Sequence, residues 1–297
     1  MTKPRIAFLG LGTMGSGMAG QLLAKGFPLA VFNRNPEKSK PFAAKARVAK
    51  SPREAASGAD VIISMVADDN ASNSMWLGDD GALAAVAPGA VCIESSTVSV
   101  DWVRELAGKV AAAGCGFLDA PVTGSKTHAA AGELNFIVGG ETATLEKARP
   151  VLEAMSKTIL HVGPVGSGAL LKIVNNFVCG VEIAALAEAM AMIERAGLNL
   201  EKALEVITNG APGSPLVKTV SSRMTRLDYT PNFTLRLMAK DLKYAMSEGS
   251  KLSVKLITAA AALEDFQRGI AAGHGDNDIA AVVEPLRNSR SLPPPAS

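Results

Sequence analysis

Three stretches of this 297-residue chain carry residue types whose spacing could do chemistry. Gly10-Leu11-Gly12-Thr13-Met14-Gly15 follows an apolar run, and Met14, Met18, Leu22 and Leu23 then recur at helical spacing. In a strand-turn-helix setting such a glycine triplet serves phosphate. The first glycine permits the tight turn, the second lets the backbone approach a pyrophosphate, and the third lets the helix pack closely on the sheet. The helix start adds free N–H groups and positive dipole, so a dinucleotide is the implied ligand. About 20 residues on, where an NAD enzyme usually offers an acid to the ribose, stand Asn33-Arg34-Asn35. An acid there would repel a 2′-phosphate, whereas Arg34 can bond it and stack on adenine. NADP is therefore expected over NAD, with Asn33 and Arg34 among its contacts.

The second stretch is the turn Thr123-Gly124-Ser125, whose small residues expose N–H groups and hydroxyls to an anion such as a carboxylate. The third is a pair, Lys172 and Asn176, four residues apart and so on one helix face. Lys172 sits among Leu170, Leu171, Ile173 and Val174. A cation there either snorkels from a core helix to solvent or takes part in chemistry.

The elements that must position these residues are legible as periodicity. Apolar or β-branched runs at Arg5 to Leu9, Leu29 to Asn33, Val61 to Val66, Val91 to Glu94 and Gly116 to Leu118 alternate with amphipathic stretches, the pattern of β-α units and a parallel sheet. Leu134 to Val138 and Thr158 to Val162 add two strands around a helix from Thr142 to Met155. Strand signals stop near Gly163. Ala169 to Arg195 then reads as one long helix, apolar on nearly every face and expected to be buried. Helices follow at Leu200 to Asn209, Leu216 to Arg226, Met238 to Ser250 and Lys255 to Ala272. The expected organisation is α/β: a Rossmann-type doubly wound sheet over residues 1–163, an all-α domain over 164–290 joined by the long helix, and a disordered proline-rich tail at 291–297.

The chain is similar almost end to end to the β-hydroxyacid dehydrogenases, which include 3-hydroxyisobutyrate dehydrogenase, tartronate semialdehyde reductase and glyoxylate/succinic semialdehyde reductase. Four blocks carry the resemblance: Gly10 to Gly15, Asp119-Ala120-Pro121-Val122-Thr123-Gly124, Gly163 to Asn176, and Lys240-Asp241-Leu242. It implies that Lys172 is the catalytic proton donor and that Asn176 binds substrate and positions the ammonium. Hydride arriving at a carbonyl carbon leaves negative charge on oxygen, which an ammonium can stabilise and then protonate. The resemblance further implies that Thr123, Gly124 and Ser125 hold the substrate carboxylate, in a turn that is most often Ser-Gly-Gly. Ser125-Lys126 resembles the glyoxylate/succinic semialdehyde reductase branch. Val66, Ala67 and Thr97 fall where the family lines the cofactor, and Lys240 matches a lysine that reaches towards it. Trp76, Phe233 and Met238 are candidates for either pocket or core. Asp276 and Asp278 match the family's C-terminal turn, where Ala280 replaces a serine.

The expected activity is NADPH-dependent reduction of a small carboxylate-bearing aldehyde to the hydroxy acid. Within the family, 3-hydroxyisobutyrate dehydrogenase and tartronate semialdehyde reductase are alternatives, and an imine reductase is disfavoured by Lys172. A non-catalytic NADP-binding interaction module would be expected to lack that lysine. Composition narrows the rest. Thirty Lys and Arg against 28 Asp and Glu leave +2, too little to hold nucleic acid. Mean hydropathy is +0.21, but no uninterrupted apolar run approaches a membrane span, and the N-terminus lacks a signal-peptide core. A cytoplasmic protein is expected. Cys92, Cys115 and Cys179 suit reduced thiols, and His128, His161 and His274 are too scattered for a metal, so none is predicted. Surplus apolar helix suggests a homodimer or homotetramer.

Overall fold

Short β-branched runs form strands and amphipathic runs pack over them in a computed structural model that describes residues 3–288. The tail expected at 291–297 lies outside the described residues. Two compact units divide between Lys172 and Ile173. The first contains β1 (Ile6–Leu9), α1 (Gly15–Ala24), β2 (Leu29–Phe32), β3 (Arg47–Val48), α2 (Pro52–Ala56), β4 (Val61–Ser64), α3 (Asp69–Leu77), β5 (Val91–Glu94) and α4 (Val100–Ala112). It continues through β6 (Gly116–Asp119), β7 (Val122–Thr123), α5 (Lys126–Ala131), β8 (Leu134–Gly140), α6 (Thr142–Glu153) and β9 (Ser156–Gly163).

Strands β3-β2-β1-β4-β5-β6 lie side by side and all parallel, the order of a doubly wound dinucleotide-binding sheet. Both faces of such a sheet are covered, so β1, β4 and β5 are buried throughout and read as continuous apolar runs. The two strands expected beyond the nucleotide-binding part are present as β8 and β9, but the extension is mixed. β8 runs antiparallel to both β6 and β7 and parallel to β9. The β7–β8 pairing turns the chain back, and at two residues each β3 and β7 are too short for periodicity to reveal.

The second unit is helical: α7 (Ser167–Arg195), which starts in the first unit, then α8 (Leu200–Asn209), α9 (Pro215–Thr225), α10 (Leu235–Lys251), α11 (Ile257–Gly269) and α12 (Glu284–Asn288). Its core gathers Leu186, Met190, Val217, Met224, Met238, Leu242 and Phe266. The uniformly apolar pattern of α7 predicts burial all round. Instead Ile173, Ile183, Ala187 and Met190 are buried, while Leu171, Val174 and Val178 are exposed and Met192 is 71% exposed. By length and composition α7 alone among the described helices could cross a bilayer, yet its face through Ile183, Ala187 and Met190 belongs to the helical core.

Beneath the sheet's C-terminal edge lies a polar network that fixes the loops. Glu94, 1% exposed, accepts from Ser72 Oγ, from Trp76 Nε1 at 2.8 Å and from the Ser96 N–H at 2.9 Å. Trp102 Nε1 donates to Ser72 Oγ at 2.8 Å, and the Val66 N–H donates to Ser96 Oγ at 2.7 Å. Burial pushes the Glu94 carboxyl above its ordinary range despite these donors. A raised carboxyl pKa means that the folded state binds more protons than the unfolded state just above pH 4.5, so Glu94's contribution falls as pH rises through that window. Glu94→Gln would point an amide at the Trp76 N–H. It is expected to lower unfolding free energy by about 1–3 kcal/mol in urea, with the loss largest at acid pH and shrinking towards neutrality. An unchanged midpoint at both pH values would contradict this account.

Candidate active site

The glycine turn has the form its spacing implied. Gly10 adopts φ +100°, and a Cβ there would strike the Met65 carbonyl and Val66 Cγ1. A Cβ on Gly15 would strike the Gly10 carbonyl and stand 3.1 Å from Phe8, which is why α1 can sit so close to the sheet. At Gly12 a Cβ would meet nothing within 4 Å, leaving open space in front of the backbone. No side chain caps the start of α1, and its first turn holds no acid. This is a cradle that fits a pyrophosphate.

Asn33 and Arg34 part company. Asn33 Oδ1 accepts from the Leu11 N–H at 2.8 Å and its Nδ2 donates to the Asn35 carbonyl at 2.9 Å, so this side chain staples the glycine turn to the end of β2. Arg34 is exposed on the same loop. Met14 is half-buried against the core, and Leu11 is fully buried in it, with its N–H donated to Asn33 and its carbonyl accepting from Ser16 Oγ at 2.9 Å, so Leu11 shapes the turn from within.

Register brings the remaining loops to one edge. Phe32 pairs with Leu9, Leu9 with Ser64, Ser64 with Glu94 and Glu94 with Asp119, so β2, β1, β4, β5 and β6 finish level with one another. The turn Gly10–Gly15, the Arg34 loop, Val66-Ala67, Thr97 and the Thr123–Ser125 turn all leave from this edge. Val66 is tied to Ser96, one residue before the half-buried Thr97.

In the Thr123–Ser125 turn, Gly124 takes φ +121° and Asn135 Nδ2 donates to Thr123 Oγ1 at 3.4 Å. The Ser125 N–H, a donor expected for an anion, is directed at His128 Nδ1 at 3.1 Å, and Ser125 Oγ lies 2.8 Å from the same nitrogen. Sequence reasoning left His128 without a role; its position three residues into the helix after Ser125 was the available signal. Helix α5, which follows this turn, packs on α1. A Cβ on Gly17 would meet the Ala130 nitrogen at 2.8 Å, and Gln21 Nε2 donates to the Ala130 carbonyl.

Asp119, quoted above only as part of a matching block, is a second residue without a predicted role. It is 1% exposed, and its Oδ1 and Oδ2 accept from the Gly166 and Ala169 N–H groups at 2.9 and 2.8 Å, at the start of α7. Burial pushes its carboxyl up, against the pull of these backbone donors. Lys172, three residues beyond Ala169, is half-buried.

In the second unit, Asn176 is 5% exposed and its Nδ2 donates to Asp241 Oδ2 at 2.6 Å, while its Oδ1 accepts from Asn175 at 3.0 Å. Asp241 is fully buried; Lys240 Nζ stands 3.0 Å from its other oxygen and 5.0 Å from the centre of the Tyr244 ring. The Asn176–Asp241 bond links two of the blocks read from sequence, and the buried carboxylate went unassigned because nothing local marks it. Trp76 is a core residue bonded to Glu94, Met238 is buried in the helical core, and Phe233 packs against that core. Asp278 is 2% exposed and structural: it accepts from the Asn232, Phe233 and Ala280 N–H groups and faces Arg223 at 3.4 Å, whereas Asp276 is at the surface. Among the described residues no group of three His, Cys, Asp or Glu could hold a metal.

Comparison with known proteins bears on the family and the fold. Residues 5–163 match the family model for the NAD binding domain of 6-phosphogluconate dehydrogenase, and residues 166–286 match that for the NAD-binding domain of NADP-dependent 3-hydroxyisobutyrate dehydrogenase. An NAD-dependent L-serine dehydrogenase of Pseudomonas aeruginosa is 36% identical over 94% of this chain and 96% of its own length. Glyoxylate/succinic semialdehyde reductase 1 of Arabidopsis thaliana is 32% identical over 96% and 99%. The solved Mycobacterium tuberculosis 3-hydroxyisobutyrate dehydrogenase with L-serine superposes with a TM-score of 0.86 at 35% identity, covering 96% of this chain and all of that one. The phosphate cradle, the level strand ends and matches spanning both units together make this chain a member of the β-hydroxyacid dehydrogenase family, an NAD(P)-dependent hydroxyacid dehydrogenase.

Proposed function

We propose that the chain reduces a small aldehyde acid, with glyoxylate and succinic semialdehyde as the leading substrates, using NADPH. The observation that carries this reading is the start of α7: the helix bearing Lys172 is bonded to Asp119, at the strand end that runs on into the Thr123–Ser125 turn. When bound, the reduced nicotinamide supplies the hydride. The glycine turn and the uncapped start of α1 take the pyrophosphate, with Val66, Ala67, Thr97 and Lys240 as further cofactor contacts. Thr123, Gly124 and Ser125 hold the substrate carboxylate. The Lys172 ammonium then faces the carbonyl oxygen, stabilises the charge that develops there and donates its proton; in the oxidative direction the free amine accepts it. Asn176 hydrogen-bonds the substrate, its own orientation held by Asp241.

NADPH is preferred because residues 33 to 35 include no acid, Asn33 is committed to the turn, and the exposed Arg34 is left to meet a 2′-phosphate. A second reading, oxidation of a β-hydroxy acid, is favoured by the similarity to a serine dehydrogenase and to a 3-hydroxyisobutyrate dehydrogenase solved with L-serine. We also propose that a second copy of the chain covers exposed apolar residues of the helical unit such as Val178, Met192 and Val206.

Lys172→Ala is expected to lower kcat by about 10²–10⁴-fold while NADPH binding, followed by fluorescence, stays intact; turnover near the wild-type rate would refute the assignment. Arg34→Ala should raise KM for NADPH by about 10–100-fold, the loss of one or two charge-assisted bonds, and leave KM for NADH nearly unchanged. Equal effects on both coenzymes would remove the NADP assignment. Following NADPH oxidation with glyoxylate, succinic semialdehyde, tartronate semialdehyde and methylmalonate semialdehyde, and NAD⁺ or NADP⁺ reduction with L-serine and 3-hydroxyisobutyrate, separates the two readings. Gel filtration at a single-chain mass of 30.6 kDa would overturn the oligomer.

A further inference from the structure

We infer that Asp119 is a positioning residue: one buried carboxylate fixes the start of α7 to the end of β6, and thereby sets Lys172 against the turn proposed to hold the substrate carboxylate. This rests on the reading of Lys172 as proton donor.

The residues just before α7, Gly163-Pro164-Val165-Gly166, include no Ser, Thr, Asn or Asp to act as a local cap. The buried N–H groups of the helix start are met instead from 47 and 50 residues earlier in the chain, by the two oxygens of Asp119 on Gly166 and Ala169. Two glycines make room for that carboxylate and leave it none to spare. A Cβ on Gly139 would stand 2.5 Å from Asp119 Oδ1 and 2.8 Å from the Pro164 carbonyl. A Cβ on Gly168 would stand 3.0 Å from Oδ2 and 2.5 Å from the Ile137 carbonyl. Lys172 lies three residues past the anchored Ala169, a rise of about 4.5 Å or nearly one turn. In the other direction Asp119 is separated from Thr123 by Ala120-Pro121-Val122, and the Pro121 carbonyl is itself pinned by the Ile137 N–H at 2.9 Å. Both arms leading from the carboxylate are thus short and fixed. A misplacement on the order of 1 Å between reacting groups can cost about 10²-fold in rate, so an anchor of this kind bears on kcat rather than on coenzyme affinity.

Asp119→Asn keeps the shape but turns an amide N–H₂ towards one of the two backbone donors. The variant is expected to fold, to bind NADPH with unchanged affinity by fluorescence titration, and to lose about 10–100-fold in kcat. The decisive readout is the pair with Lys172→Ala. If Asp119 acts through Lys172, Asp119→Asn in the Lys172→Ala background costs less than about 2-fold more, and a small added amine such as ethylamine rescues the single Lys172→Ala variant and the double variant equally. A general structural role makes the two losses multiply, which would overturn the proposal, as would wild-type kcat in Asp119→Asn. Asp119→Ser, smaller and uncharged, is read by the same criteria should the Asn variant not fold. If Lys172→Ala itself keeps its activity, it is the assignment of the proton donor that fails.

Discussion

Five parallel strands ending at one level, Phe32 beside Leu9, Ser64, Glu94 and Asp119, form the constraint from which the candidate site follows. A slip of one residue in any of these pairings would send the next loop out from the wrong face. The strands are apolar until their last residue, and there three of them turn polar while still buried: Ser64, Glu94 and Asp119 are each at most 1% exposed. Glu94 and Asp119 take their partners from loops that must then lie where the carboxylate is, so the edge organises what surrounds it.

What was legible in the sequence was whatever repeats or sits close together. The tight turn at Gly10 and the close packing at Gly15 were legible because those two glycines answer contacts within a few residues or one strand away, while Gly12 faces open space. Lys172 stood out because a cation in an apolar helix is conspicuous. Long strands and helices emerged from their period, whereas β3 and β7, two residues each, gave none. The partners across the chain stayed hidden. Asp119 reaches Ala169, Asn176 reaches Asp241 and Val66 reaches Ser96 over separations of 50, 65 and 30 residues, and no local pattern announces such bonds. The side-chain exposure of α7 was hidden for a different reason: apolar composition on every face says that a helix prefers cover, without saying which of its faces the fold buries.

Two residues expected to contact a ligand acquire a more specific meaning from their bonds. Asn33 was grouped with Arg34 as a cofactor contact, but its amide joins the glycine turn to the end of β2, so its role towards a dinucleotide is to hold the cradle in shape. Ser125 was expected to present a free N–H, and that group instead faces the His128 imidazole. A carboxylate held at this turn, as proposed, would compete with the ring nitrogen for this donor, and a charge-assisted bond is about twice as strong as a neutral one.

Helix starts along the sheet edge show the same economy. Asp68 caps α3 by accepting from the Ala71 N–H at 2.8 Å, Ser99 caps α4 from Trp102 at 3.2 Å, and Asp119 caps α7. The start of α1 has no side-chain cap, and no acid lies in its first turn. Each capped start has its N–H groups and positive end offset by an oxygen of the protein itself; the partial charge at α1 is not offset in this way. An anion approaching this edge therefore finds one helix dipole open to it, directly behind the gap that Gly12 leaves. The three capped helices meanwhile have their starts bonded in place, and in α7 the bonded Ala169 lies one turn before Lys172. In the function proposed, binding of the coenzyme's phosphates and placement of the Lys172 ammonium would thus rest on opposite treatments of the same structural feature.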